Sequence, residues 1–259
     1  ALGELGLNLE ELDGQLRKRD DTGWFEAWKS FFKPLAFGKK LWVLPRWDTE
    51  QENQSMLAEL SLDDDAIVVH LEPGLAFGTG QHATTALCLS ILTKRLHNGT
   101  ERMVDVGCGS GILSIAAAKL GVHQVLAIDN DPLAVKISRE NAAANGVAHQ
   151  ITTTELPLES SSLQFPLVVA NIIAPILIQL AEANVKAIEP GGTLVLSGML
   201  ESQVDSVKDA YSLVNPALQW DGEQSEGAVS AWSAVEVSTD SVVEVKLNTI
   251  QILRNAEAK

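Results

Sequence analysis

The sequence predicts an α/β protein built on a doubly wound, mainly parallel sheet. Three observations carry that expectation. Short apolar runs alternate with helical patterns from about residue 66 onward, a glycine-rich turn joins one such run directly to a helix, and an acidic residue closes the next run. Helices returning the chain between parallel strands cover both faces of such a sheet, so its strands read as continuous apolar segments.

Residues 1–65 stand apart as an N-terminal helical and linker segment, leaving 66–259 as the main domain. Four of the six tryptophans fall in the first part (Trp24, Trp28, Trp42, Trp47). Trp24, Phe25, Trp28, Phe31 and Phe32 share one helical face that ends at Pro34, an aromatic face suited to docking on a neighbouring domain. Leu41–Leu44 reads as a short strand closed by Pro45. Asp48–Asn53 and the acids Asp63, Asp64 and Asp65 read as exposed loop.

In the main domain Ile67–Leu71 reads as a strand and Gln81–Leu96 as a helix. Met103–Val106 is a buried strand that enters a glycine turn and a helix through Leu120. Gln124–Ile128, Pro132–Asn145 and Ile151–Thr154 continue as strand, helix and strand. Leu167–Ala170, Ala174–Ile188, Thr193–Leu196 and Ser202–Leu213 repeat the alternation. Val229–Val237 and Val242–Leu253, around Ser238–Ser241, read as a C-terminal antiparallel hairpin.

Composition narrows the function classes. The 259 residues are 46% hydrophobic and 20% charged, which supports a packed core. A net charge of −15 disfavours nonspecific phosphate binding, so no direct DNA binding is expected, and it favours a basic partner such as a lysine-rich protein. The run Lys29, Lys33, Lys39, Lys40 and Arg46 contains no acid and reads first as a solvated basic face, with RNA or an acidic partner as the other reading. Cys88 and Cys108 lie 20 residues apart without a CxxC pattern, so neither a disulfide framework nor a metal site is expected. The longest apolar stretch, Leu167 to Leu180, is too short and too interrupted to span a bilayer. A soluble, cytoplasmic protein is the expectation.

The chemistry concentrates in Val104-Asp105-Val106-Gly107-Cys108-Gly109-Ser110-Gly111. Glycines at alternate positions suit a strand-to-helix turn on which a ligand rests, because a side chain would block it or force an unfavourable φ. Position 112 is Ile, so the pattern is G-x-G-x-G and not the dinucleotide fingerprint G-x-G-x-x-G, which argues against an NAD-dependent dehydrogenase. In a Rossmann-like unit the following strand lies beside the first. Asp129, 22 residues after Gly107, would then face the glycine turn and accept both hydroxyls of a ribose. Asp131 before Pro132 reads as the N-cap of the next helix. Asn171, at the end of Leu167–Ala170, joins the same sheet edge, either as a ligand-facing amide or as a cap of the helix near Ala174. The segment 71–85 adds glycines, hydroxyls and His82 in a loop placed to cover a ligand, although His82 reads equally as a structural residue.

On those residues the chain resembles a known family. The segment EPGLAFGTGQHATT is similar to the hallmark of the PrmA family of ribosomal-protein methyltransferases, and VDVGCGSGILSIAAAKLG, AIDNDP, ENAAANGV, VVANIIA and GGTLVLSGML extend the likeness. Upstream, WFEAWKSFFKPLAFGKKLWVLPRW resembles the family's approach to its catalytic domain, so the likeness covers roughly residues 22–210. It implies S-adenosylmethionine as cofactor, contacts from Thr85, Gly107, Asp129 and Asn171 with Gly109 in the same turn, and a lid of Phe77, Gly78 and Thr79. It further implies methyl transfer to lysine side-chain or N-terminal amines of a large-subunit ribosomal protein; the alternative is a related protein-lysine methyltransferase with a non-ribosomal target. Asn171 is expected to orient the acceptor amine. Only about 20 residues precede the matching segment, too few for the family's ferredoxin-like substrate-recognition module, and the motifs give out at about Asn215.

Overall fold

The computed structural model describes residues 33–38, 40–47, 50–71, 83–96, 100–160, 162–221 and 249–255. By their contacts Ala1–Lys33 form one unit and Pro34–Lys259 another, and every element described belongs to the second. The aromatic face from Trp24 to Phe32 lies outside the described residues.

A small sheet comes first. Strand β1 (Leu35–Phe37) runs antiparallel to β2 (Leu41–Pro45), which pairs in parallel with β3 (Ile67–Leu71). Helix α1 (Glu50–Leu60) makes the crossover, where the sequence reads Asp48–Asn53 as loop. The polar run Glu50–Ser55 shows no apolar stripe, which hides the helix from a periodicity argument. Its start is fixed by the Asn53 side chain, which accepts from Trp47 N (2.9 Å) and donates to Trp47 O (3.0 Å). The register Leu41↔Ile67 to Pro45↔Leu71 carries this sheet across residues 63–65, where the sequence suggested a boundary.

The main sheet has the order β6-β5-β4-β7-β8-β10-β9. Its strands are β4 (Arg102–Val106), β5 (Gln124–Ile128), β6 (Ile151–Thr154), β7 (Phe165–Asn171), β8 (Ile188–Met199), β9 (Leu218–Asp221) and β10 (Thr249–Asn255). Only β10 opposes the others, pairing antiparallel with both β8 and β9. The C-terminal antiparallel pair is therefore present, with a different first strand from the sequence reading. Its partner is the four-residue β9, too short to display an alternating pattern, while Val229–Val237 lies outside the described residues. The helices are α2 (Ala83–Arg95), α3 (Ile112–Lys119), α4 (Pro132–Ala144), α5 (Ala174–Gln179), α6 (Ala181–Lys186) and α7 (Val204–Val214). The single helix read from Ala174 to Ile188 is thus two, with Leu180 between them and Ile188 already in β8.

Strand alternation sorts the core into two layers. Met103, Leu167, Val169 and Val195 face α2, α3 and the small sheet. Val104, Val106, Val168, Ala170, Leu194 and Leu196 face α5, α6 and α7. The sheet's order reverses between β4 and β7, so the chain leaves their carboxyl ends to opposite sides and opens a crevice there.

Candidate functional site

The crevice is built on the turn after β4. Gly107, Gly109 and Gly111 all adopt positive φ (75°, 53° and 79°). At Gly107 a Cβ would also sit 2.3 Å from Ile172 Cγ2, so the turn and the end of β7 approach too closely for any side chain. Gly107 N and Cys108 N both donate to Ile128 O (2.8 and 2.9 Å), which locks the turn onto β5.

Asp129 leaves the end of β5 with its carboxylate toward this turn. Oδ2 accepts from Gly109 N at 2.9 Å and Oδ1 from Asp131 N at 3.0 Å. Asp131 itself caps α4, accepting from Leu133 N at 2.9 Å with Pro132 in the first helical turn. Asn171 closes the other side: its Nδ2 donates to Thr85 Oγ1 at 3.2 Å, and its buried Oδ1 has no hydrogen-bond partner among the described residues. Three contacts, Gly109 with Asp129, Gly107 with Ile172, and Asn171 with Thr85, thus gather the residues from α2, β4, β5 and β7 at one sheet edge. Phe77, Gly78 and Thr79, like His82, lie outside the described residues.

Beneath the turn is a buried polar layer that the sequence reading did not assemble. Asp105, 1% exposed, accepts from Ser114 Oγ at 2.6 Å and Ser114 N at 3.2 Å, and its Oδ1 has no hydrogen-bond partner among the described residues. Burial raises its carboxyl to about 6, opposed by the Ser114 hydrogen bonds and reinforced by the charge of Asp129. Burial likewise pushes the Cys88 thiol on α2 up to about 12, although Ser197 hydrogen-bonds it. Burial first, then the Asp105 and Asp129 charges, push the Cys108 thiol up as well. Both cysteines are therefore protonated at neutral pH and act as small apolar fillers.

Asn141 of α4 and Asn145 at its C-cap tie this floor to the small sheet. Asn141 Nδ2 donates to Ser110 O in the glycine turn (2.9 Å). Asn145 accepts from His70 N (2.8 Å) and donates to His70 O (2.7 Å), so its amide occupies the free edge of β3 as a neighbouring strand would. Their i, i+4 spacing places both on one helix face, and that polar pair on a buried face was the available signal in the sequence. Among the described residues no group of His, Cys, Asp and Glu could hold a metal ion, and no helix is long and apolar enough to cross a membrane.

Comparison with known proteins places this geometry. Residues 1–236 match the profile of the family described as ribosomal protein L11 methyltransferase (PrmA). The match thus reaches back before residue 22 and on past Asn215. A protein of Aliivibrio salmonicida named ribosomal protein L11 methyltransferase is 42% identical over 198 residues, covering 76% of this chain and 63% of that relative. A protein of the same name from Ralstonia pickettii is 40% identical over 215 residues, covering 83% of this chain and 67% of the relative. The crystal structure of the ribosomal protein L11 methylase from Lactobacillus delbrueckii subsp. bulgaricus superposes with a TM-score of 0.65 at 27% identity, over 88% of this chain and all of that one. The chain therefore spans about two thirds or less of the length of these curated relatives.

Proposed function

The chain belongs to the PrmA family, and from that premise we propose that it transfers methyl groups from S-adenosylmethionine to lysine side-chain or N-terminal amines of a ribosomal protein. The observation that carries the reading is the Asp129 carboxylate held against the glycine turn by Gly109 N, beside the switch point of the sheet.

The residues suit that cofactor. Each Asp129 oxygen accepts one described backbone hydrogen bond and keeps a lone pair for a ribose hydroxyl. Gly107 and Gly109 add no side chain to the floor of the crevice, and Thr85 and Asn171 are hydrogen-bonded to each other on its far side. When bound, S-adenosylmethionine supplies a methyl group already activated on a sulfonium, so the protein's work is alignment and preparation of the acceptor. Bringing a lysine of pKa ~10.4 to its neutral form near pH 7.4 costs roughly 4 kcal/mol, which transfer out of water reduces. Asn171 Oδ1 is the acceptor that orients the amine through one of its N–H groups, while Thr85 holds the amide the right way round. The negative net charge favours a basic ribosomal protein as partner, and that substrate places the work in the cytoplasm.

Incubating the chain with labelled S-adenosylmethionine and either ribosomal protein L11 or whole lysate, then mapping the label by mass spectrometry, tests the reading. Label on L11 amines is expected. Label only on another protein assigns a different substrate, and no label on any protein contradicts the transferase reading.

A further inference from the structure

The carboxyl edge of the sheet has two unlike halves. The half formed by β4 and β5 presents the glycine turn and the acids Asp129 and Asp131. The half formed by β7 and β8 presents exposed apolar side chains: Ile173 is 62% exposed, Ile176 39% and Leu200 36%. These two strand ends lie side by side, with Asn171↔Ser197 in register and Ile172 N donating to Ser197 O at 3.1 Å. Gly198, at φ +88°, braces them, since a Cβ there would stand 2.5 Å from Ile172 O.

Both Ile173 and Leu200 break a local rule. Each occupies the N-cap of the helix that follows it, α5 and the short 3-10 turn Glu201–Gln203, and neither makes a side-chain cap hydrogen bond. Ser, Thr, Asp or Asn at an N-cap stabilises a helix, and β-branched or aliphatic residues do not. A large apolar side chain left exposed at an N-cap forgoes that stabilisation, and this happens after both neighbouring strand ends, as at a site shaped for contact. Residues 171–176 and 199–205 carry two acids, Glu201 and Asp205, both exposed, and no lysine or arginine.

We infer that Ile173, Ile176 and Leu200 form the ledge on which the aliphatic stem of the acceptor lysine lies, its amine directed to Asn171 and its basic flanking chain drawn by Glu201 and Asp205. The inference rests on the methyltransferase reading and adds the surface that selects the acceptor. A lysine carries four methylenes behind its charge, so an apolar strip with acids at its outer rim complements it at both ends. A strip that also excludes water from the amine favours its neutral form.

The test uses Ile173→Ser, Leu200→Ser, the double variant and Ile173→Val, with ribosomal protein L11 as probe. Three readouts are taken: KM and kcat for L11, equilibrium binding of fluorescently labelled L11, and calorimetric affinity for S-adenosylhomocysteine. The double variant is expected to weaken L11 binding and raise its KM by about tenfold, corresponding to about 1.4 kcal/mol of lost apolar contact. Affinity for S-adenosylhomocysteine should stay within about twofold, a change too small to signal a lost contact. Because serine is the better N-cap, the melting temperature should hold or rise, and Ile173→Val, which keeps an apolar side chain in the ledge, should lose less L11 binding than Ile173→Ser. L11 binding unchanged in the double variant overturns the ledge, as does a matching loss of S-adenosylhomocysteine affinity. A parent chain that binds L11 through this ledge yet methylates no protein contradicts the transferase reading and leaves the ledge supported.

Discussion

Gly109 N donates to Asp129 Oδ2 at 2.9 Å across the carboxyl ends of two adjacent parallel strands. With Asp131 N on the other oxygen, the carboxylate is fixed in orientation before any ligand arrives. Preorganised acceptors are worth more than mobile ones because no ordering cost falls at binding. The same turn touches Ile172 through Gly107, so the glycine turn and the end of β7 share one junction.

That junction predicts an asymmetry between two glycines of similar φ. Gly107 (φ +75°) faces Ile172 at 2.3 Å from an ideal Cβ, whereas Gly146 (φ +74°) meets nothing within 4 Å. Gly146→Ala should cost about 1 kcal/mol of backbone strain. Gly107→Ala should add a steric cost, for a total of about 2–4 kcal/mol, as overpacked sites do. Urea unfolding of both variants checks this, and equal losses would show that Ile172 yields freely.

The buried Asp105 predicts a pH dependence of opposite sign to that of a paired carboxylate. Its folded-state pKa, about 6, lies above the ordinary carboxyl value of 3.8. The folded state therefore holds the proton more tightly, and the resulting stability is fully present below about pH 4 and lost as pH rises through 6. The gap corresponds to about 3 kcal/mol. Apo-protein unfolding at pH 5 and pH 8 should show about half of that decline, roughly 1.4 kcal/mol, and Asp105→Asn should flatten it.

Asn145→Ala removes the side chain that serves both backbone groups of His70. A loss of about 1–3 kcal/mol is expected, with faster amide exchange along β3 than along β4. Exchange that speeds up equally in both strands would mean that the asparagine acts on the whole domain.

Asn171→Ala should lower turnover on a protein substrate at least tenfold, about 1.4 kcal/mol or more of lost alignment. Thr85→Val, which removes the hydroxyl holding the amide, should lower it by a smaller factor. Full turnover in Asn171→Ala would remove the residue from the acceptor site.

The parts of this site legible in the sequence were those where one residue type answers one local demand. The Gly107–Gly111 turn, Asp129 at a strand end and Asp131 before Pro132 each announce themselves by type and spacing, and the structure places Asp129 against the turn and Asp131 at the cap. What stayed hidden depended on distant pairing. Ser114 matters because it reaches Asp105, and Ile172 because Gly107 and Gly198 press on it, neither of which a one-dimensional pattern records. α1 and β9 were missed for a simpler reason: one is polar almost throughout and the other is four residues long.

Isothermal titration of the chain and of its Asp129→Ala variant with S-adenosylhomocysteine addresses the central claim most directly. The parent chain should bind, and loss of the ribose hydrogen bonds, about 1.5–3 kcal/mol each, should weaken the variant by tenfold or more. No binding by the parent chain, or equal binding by the variant, would contradict the assignment of this crevice to the methyl donor.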